Sequence, residues 1–226
     1  MSSRTDGVRN AGAAFSRVQA AIAAARAGDA MELEQSWLRL LLVGAVAIYL
    51  LVALLYDRVL ADGDLRVLLL ITLTFLFGLA HLYWILAHPG VNHQRRRVAV
   101  LLDMGSITVM MTVSGELGFM LYGLYLWVVL GNGFRYGRWY LHYSQATSLA
   151  GFSAVLLLSE FWQGNAMLGI ALWLVLLAIP WYAALLISRL NAANERLQEA
   201  RADAEAANIA KTKFLAAASH DLRQPM

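Results

Sequence analysis

The pattern of apolar and polar residues divides the chain into long apolar stretches separated by short polar loops. A helix needs about 20 apolar residues to cross the hydrocarbon core of a bilayer, with a range of about 17 to 25. The third and fourth apolar stretches are separated only by Ser114, Gly115 and Glu116, which predicts a helical hairpin with a tight turn. The pattern predicts an all-α membrane protein with a six-helix transmembrane bundle over 37–188. The six predicted spans are 38–56, 67–87, 98–113, 117–133, 144–160 and 166–188.

After the sixth stretch the chain becomes charged and rich in alanine, with no glycine or proline between Trp181 and Pro225. Ten positions follow each other at alternating steps of four and three residues, the a/d pattern of a coiled coil. We expect a parallel homodimer that pairs through the last transmembrane helix and residues 186–218, with a signalling coiled coil at 189–212. Since the seam is mostly alanine, each layer buries little surface and the coil should be weak; a single solvated helix is the alternative. The seam positions are Leu186, Leu190, Ala193, Leu197, Ala200, Ala204, Ala207, Lys211, Phe214 and Ala218.

An N-terminal arm, 1–36, precedes the first predicted span. Within 11–34, Phe15, Val18 and Ile22 recur at helical spacing, and basic residues lie elsewhere on the helical wheel. This pattern is typical of a helix that lies on the inner leaflet, and an alanine-rich solvated arm is the alternative. No secretory signal peptide is expected, because no apolar region stands near the start.

Composition narrows the class of protein. The chain is 60% apolar and 15% charged, with a mean hydropathy of +0.57. Soluble domains are about 45–50% apolar and about 25% charged, so this composition argues against a soluble protein. The absence of cysteine excludes a disulfide-held secreted domain and a thiolate metal site.

The distribution of arginine predicts the orientation in a bacterial inner membrane. Lysine and arginine are enriched in cytoplasmic loops. The loops 88–97 and 134–143 hold arginines without acidic residues and should face the cytoplasm, whereas 57–66 pairs Arg58 and Arg66 with Asp57, Asp62 and Asp64 and should face out. The connections near Glu116 and Glu160 contain neither lysine nor arginine. Six spans with both termini in the cytoplasm agree with the charge of every loop. Five or seven spans would place one arginine-bearing terminus outside the cytoplasm.

The last residues carry a motif with a recognisable chemistry. Phe214 and Leu215 are followed by Ser219-His220-Asp221-Leu222-Arg223 and then Pro225. On the heptad seam Phe214 and Ala218 face the partner, so His220 should point outward. A neutral imidazole is a nucleophile toward phosphorus, and an adjacent carboxylate can orient the ring and support the imidazolium that develops.

This segment resembles the H-box of bacterial sensor histidine kinases of the HisKA type, whose pattern is F-L-x-x-x-S-H-D/E-L-R-x-P. The resemblance implies that 213–226 begins a dimerisation and phosphoacceptor domain, with His220 as phosphoacceptor and Asp221 as its acid/base partner. It also implies ATP with magnesium, held by a domain outside these 226 residues, and a response regulator as partner. Gln224 stands at the phosphatase position, where the family often has threonine or asparagine, so the resemblance does not imply phosphatase action for this chain. No glycine-rich phosphate loop occurs, and these residues alone should not phosphorylate His220.

The upstream region, with its stretch Gly131-Asn132-Gly133-Phe134-Arg135-Tyr136-Gly137, resembles the input region of RpfC-type hybrid kinases. These are receptors for diffusible signal factor, a cis-unsaturated fatty acid used in quorum sensing. The resemblance implies ligand binding near the juxtamembrane segment Asp29 to Trp37, with Glu32 and Gln35 as polar contacts. The family is usually drawn with five spans and this segment outside, whereas the loop charges place it inside.

Ionisable residues within predicted spans are candidate functional groups, because they are costly in lipid. Asp103 and His81 lie at similar depth on antiparallel spans and could pair, and Arg135 is the competing partner of Asp103. Such a pair could gate the bundle or bind a carboxylate headgroup, and a structural polar clasp is the alternative. The other histidines lack metal-ligand spacing, so we expect no metal site.

These patterns together favour the sensory and dimerisation region of a two-component kinase that detects an apolar or fatty-acid signal, with no nucleic-acid partner. Two other classes remain open. A transporter or channel fragment would show broken helices or an internal repeat, and a vesicle flux assay would identify it. A dimeric membrane scaffold with a helical tail would lack phosphotransfer.

Overall fold

The computed structural model describes the backbone of residues 2–56 and 62–221 and the side chains of 16, 18–52, 65–209 and 211. The described residues form helices joined by short loops, without a strand. A 3₁₀ segment, Gly115–Leu121, precedes α4. The helices are α1 (Ser2–Tyr56), α2 (Asp62–Ala87), α3 (His93–Val113), α4 (Tyr122–Tyr136), α5 (Arg138–Leu158), α6 (Glu160–Gly164) and α7 (Ala166–Asp221).

Within the described residues, four helical segments are long and apolar enough to cross a membrane, as a multi-pass membrane protein requires. The helices α3 and α5 have 21 residues each but are less apolar, because each carries several charged or polar side chains. The prediction that the chain contains several membrane-spanning helices is thus confirmed, and the six-span bundle stays a prediction. The four segments are Val18–Val52, Leu65–Ala87, Gly115–Tyr136 and Ala166–Ile209.

The first helix is interrupted at Asp29, whose backbone is extended (φ −159°, ψ 83°). The break lies against the α2–α3 loop, since a Cβ on Gly28 would come within 2.6 Å of the Gly90 nitrogen. On both sides of the break, α1 packs against α2 through a core that includes Ala25 before it and Leu33 after it. The arm and the first predicted span therefore form two parts of one interrupted helix.

The turn predicted at 114–116 is present. Ser114 ends α3 by donating its backbone N–H to the Met110 carbonyl, and Gly115 adopts a positive φ of 54°. This left-handed conformation favours glycine, which has no Cβ to clash. The chain then enters the 3₁₀ segment before it becomes α-helical at Tyr122.

An aromatic core joins α4, α5 and α6. The fully buried Phe152 ring lies 5.3 Å from Tyr122, 6.1 Å from Tyr125 and 5.4 Å from Trp162, measured between centroids. The tilted and edge-on geometries are those that aromatic quadrupoles favour. This core packs α4, α5 and α6 against one another.

The chain divides into two compact units, residues 1–180 and 181–226. In the second unit, every described side chain from 189 to 209 is exposed, and so is Lys211. In a single chain these positions are exposed whether the helix pairs with a second copy or stays alone in solvent. The parallel dimer therefore stays a prediction. The predicted helix itself is present as far as Asp221.

Candidate functional site

The site begins at the start of α3, where Asn92 caps the helix. The Asn92 side chain accepts hydrogen bonds from the backbone N–H groups of Gln94 and Arg95, satisfying donors that a helix leaves open. The cap fixes the first turn of α3 and directs the Arg95 side chain into the bundle, where it is fully buried.

Arg95 links three parts of the chain. Its Nε and Nη2 donate to the two Glu32 oxygens at 2.7 and 2.9 Å, a bidentate pair. Its Nη1 donates to the His88 carbonyl at 2.8 Å, and Nη2 also donates to the Gly90 carbonyl at 2.9 Å. A guanidinium offers five N–H donors in a fixed fork, and this arrangement uses them to connect α1 to the α2–α3 loop.

Arg96 pairs with the break in α1. It forms an ion pair and hydrogen bond with Asp29, and its guanidinium carbon lies 4.2 Å from the centre of the Tyr136 ring. Burial by itself lowers the pKa of Arg96, but the hydrogen bond and charge of Asp29 outweigh it and raise this pKa above its ordinary value. Arg96 is therefore a permanent cation that ties α1 to α3 and α4.

A third ion pair lies about two turns beyond Glu32 along α1. Arg39 donates from Nε and Nη2 to the two Asp103 oxygens at 2.6 and 2.9 Å. Its Nη1 lies 2.9 Å from His81 Nδ1. Because arginine only donates, Nδ1 must accept, and the ring proton must stand on Nε2. His81 Nε2 lies 4.0 Å from a Glu32 oxygen and has no hydrogen-bond partner among the described residues.

The structure thus brings His81 and Asp103 together through Arg39. No direct hydrogen bond joins the two in the described part of the chain, and both Asp103 oxygens are taken by Arg39. Arg39 was not among the predicted site residues, although it is an ionisable residue inside the predicted span 38–56 and is therefore a candidate functional group.

Gln35 bridges α1 and α4. Its amide nitrogen donates to the Asn132 side-chain oxygen at 3.1 Å, and its oxygen accepts from the Tyr136 hydroxyl at 2.6 Å. The glycine-rich stretch that contains these partners ends α4 at Gly137, whose φ is 88°. Asn132 and Tyr136 belong to the stretch that carries the family resemblance, but neither was predicted to contact Gln35.

An apolar cavity of about 100 Å³ lies beside these residues, between α1, α2, α3 and α4. Its polar lining includes Gln35, Arg39, Asp103 and Arg135, so three of the six predicted ligand residues meet there. Asp29, Glu32 and His81 belong instead to the neighbouring ion-pair network. The apolar lining is Leu38, Leu42, Val43, Val46, Ile71, Ile107, Met110, Leu121, Leu124, Trp127 and Val128.

The predicted phosphoacceptor segment lies at the end of α7. His220 and Asp221 are within the helix, their side chains are outside the described set, and Gln224 lies outside the described residues altogether. In the described part of the chain, no group of three or more His, Asp or Glu side chains could hold a metal ion. The roles of His220, Asp221 and Gln224 stay predictions.

Comparison with known proteins identifies homologues for most of the chain. It is 35% identical over 171 residues to the Sensory/regulatory protein RpfC of Xanthomonas campestris pv. campestris, found in two strains. The match covers 76% of this chain but only 23% of the relatives' length. No family model matches the chain, and no solved structure matches it. The upstream resemblance is thus confirmed as homology to a sensory and regulatory protein, while the HisKA type and the H-box stay predictions.

Proposed function

We propose that this chain is the sensory and dimerisation region of a two-component sensor histidine kinase. In this proposal it detects an apolar, fatty-acid-type signal such as diffusible signal factor and controls phosphorylation of His220. The observation that carries the proposal is the 35% identity to a sensory and regulatory protein over 76% of the chain. A single helix, Ala166–Asp221, contains both the last apolar segment and His220, as such a signal path requires.

The proposed chemistry at His220 follows from its side chain. An imidazole nitrogen attacks the γ-phosphorus of ATP, the bond to the bridging oxygen breaks, and ADP leaves. Asp221 orients the ring and balances the positive charge that the ring acquires. ATP and magnesium would be supplied by a domain outside these residues, and the phosphoryl group would pass to a response regulator.

The proposed signal input uses the cavity and the ion-pair network. An apolar cavity beside buried charges suits an amphiphile. Asp29 and Glu32 already have arginine partners, so we assign them to positioning α1 and not to ligand contact. Occupancy of the cavity would shift α1 against α3 and α4, and α7 would transmit the change in a homodimer. The site would lie in the inner membrane, with both termini in the cytoplasm.

The proposal is tested with the full-length protein in proteoliposomes supplied with radiolabelled ATP. The wild type should incorporate phosphate, and a cis-2-unsaturated long-chain fatty acid should change the rate. The variant His220→Gln should incorporate none, and His88→Gln, which alters an exposed histidine, should behave like the wild type. Unchanged incorporation in His220→Gln would overturn the proposal.

A further inference from the structure

A proline interrupts the hydrogen bonding of α7. Pro180 lies inside this helix and is the last residue of the first unit. Proline has no backbone N–H, so the carbonyl four residues earlier, that of Leu176, receives no helical hydrogen bond from it. Both residues lie in the predicted span 166–188, where lipid offers no donor to an open carbonyl. This turn of α7 therefore needs a donor from a neighbouring helix.

Gln145 of α5 supplies that donor. Its side-chain nitrogen lies 2.8 Å from the Leu177 carbonyl oxygen and 3.5 Å from that of Leu176. The first distance is that of a good hydrogen bond, and the second is at the outer limit. Gln145 is 5% exposed and Leu176 is fully buried, so solvent does not compete for these contacts. One amide group thus covers the turn that the proline leaves open.

Two further hydrogen bonds attach the first part of α7 to the bundle. The Tyr122 hydroxyl donates to the Leu172 carbonyl at 2.6 Å, and the Trp173 indole N–H donates to the Ser153 hydroxyl at 3.0 Å. Both lie about two helical turns before the proline. They hold α7 in place up to that point, whereas Gln145 acts at the proline turn itself.

The helix that carries Gln145 also contacts the surroundings of the ion-pair network. The Tyr140 hydroxyl lies 3.0 Å from His93 Nδ1 at the start of α3, and the Tyr140 ring centre lies 5.3 Å from that of Tyr136. Tyr136 in turn donates to Gln35 of α1 at 2.6 Å. Tyr140 and Gln145 are separated by about 7.5 Å along the axis of α5. One helix therefore connects the packing around α1 to the proline turn of α7.

We propose that Gln145 is a positioning residue that latches a hinge at Pro180. While its amide donates to Leu177, α7 stays against α5 up to the proline. When the amide moves away, the open carbonyls lose their donor and the helix bends more freely at this turn. The inference rests on the proposed function in one respect, that α7 carries the signal toward His220. It adds to that function an element with two arrangements, which a shift of α5 can exchange.

Bending is measured as the distance between two spin labels, by pulsed electron spin resonance in phosphatidylcholine nanodiscs. The 226 residues contain no cysteine, so the labels are introduced with Arg138→Cys and Ala202→Cys, both at exposed positions. Labelled protein is diluted with unlabelled protein, so that each distance is measured within one chain. Position 202 follows the proline by about 33 Å of helix, so a bend of about 10° moves it by about 6 Å.

Gln145→Leu keeps the bulk of the side chain and removes the donor. We expect it to shift or broaden the distance distribution by at least the displacement of such a bend. The same change in a Pro180→Ala background should have no effect, because alanine restores the N–H that the Leu176 carbonyl lacks. Gln163→Leu is the matched control, since Gln163 also donates to a carbonyl, that of Leu157, but is exposed and lies in α6. It should leave the distribution as in the wild type.

A wild-type distribution in Gln145→Leu would overturn the latch. So would an equal change in the Pro180→Ala background, because Gln145 would then act on the packing of α7 in general and not on the proline turn.

The role in signalling is measured on the full-length protein in proteoliposomes, as the rate of His220 phosphorylation. Gln145→Leu should change the rate without fatty acid about fivefold or more, the population shift that loss of one hydrogen bond produces, and Gln163→Leu should not. An unchanged rate beside a changed distance would overturn the positioning role. If the wild type leaves His220 unphosphorylated, the proposed function fails, while the distances still decide whether the latch exists.

Discussion

Arg95 pairs with Glu32 and also donates to two backbone carbonyls of the α2–α3 loop. It is fully buried, and Glu32 is 2% exposed, so neither charge can be solvated if the other is removed. Removal of one member of a buried ion pair costs about 3–5 kcal/mol, because it leaves an uncompensated charge. Because each buried charge needs the other, the pair holds α1 against α3.

We predict that Arg95→Ala lowers the free energy of unfolding by about 3–5 kcal/mol. The measurement is denaturant unfolding of the purified protein in detergent. Arg97→Ala is the control, because Arg97 donates only to the His93 carbonyl of its own helix in the described contacts and should change stability little. A loss of similar size in both variants would contradict the role assigned to the buried pair.

Several residues of the site could be predicted from the sequence, but most of their partners could not. Gln35, Asp103 and Arg135 line one cavity, and His81 joins Asp103 through Arg39. An ionisable residue in an apolar stretch can be recognised from the sequence, because the free energy needed to place it in lipid depends on that residue and its neighbours along the chain. Which charge neutralises it depends on the packing of helices 63 or 64 residues apart along the chain.

The break in α1 is held by a close backbone contact. Gly28 lies so near the α2–α3 loop that an added Cβ would meet Gly90 Cα at 2.9 Å as well as its nitrogen at 2.6 Å. Backbone atoms cannot move aside as a flexible side chain can. The contact therefore sets the angle at which the N-terminal part of α1 meets the bundle.

We predict that Gly28→Ala lowers the free energy of unfolding by about 1–3 kcal/mol, through overpacking. Gly44 lies in the same helix with nothing within 4 Å of its added Cβ, so Gly44→Ala should be neutral or stabilise by about 0.5–1 kcal/mol. Thermal unfolding of both variants checks the difference. Equal effects would show that the Gly28 contact does not constrain α1.

The heptad seam on α7 predicts which faces meet in a dimer. The chain contains no cysteine, so single cysteines report contacts without background. We predict that Ala204→Cys, on the seam, forms an oxidative crosslink between two copies, while Ala202→Cys, two residues earlier, forms far less. Gel mobility after oxidation measures this. Equal crosslinking at both positions, or none, would contradict the parallel coiled coil.

At the scale of the whole molecule, the loop charges predict which connections face the cytoplasm. Glu116 and Arg138 are exposed residues on opposite sides of the predicted membrane. In intact spheroplasts, a membrane-impermeant maleimide should label Glu116→Cys and should label Arg138→Cys only after lysis. The reverse pattern would invert the orientation, and labelling of both in intact cells would contradict the six-span topology.

The helical class, the apolar segments, the turn at Ser114–Gly115 and the long helix toward His220 could all be predicted from the amino-acid sequence alone. These are local properties: hydrophobic length, heptad spacing and glycine each act within a few neighbouring residues. Only the tertiary structure decided that Arg39 joins His81 to Asp103, that Asp29 and Glu32 are already neutralised, and that Arg135 is left facing a cavity. The physical reason is that charge pairing depends on the distance between atoms on different helices, and the register of those helices is set by packing and not by any one segment.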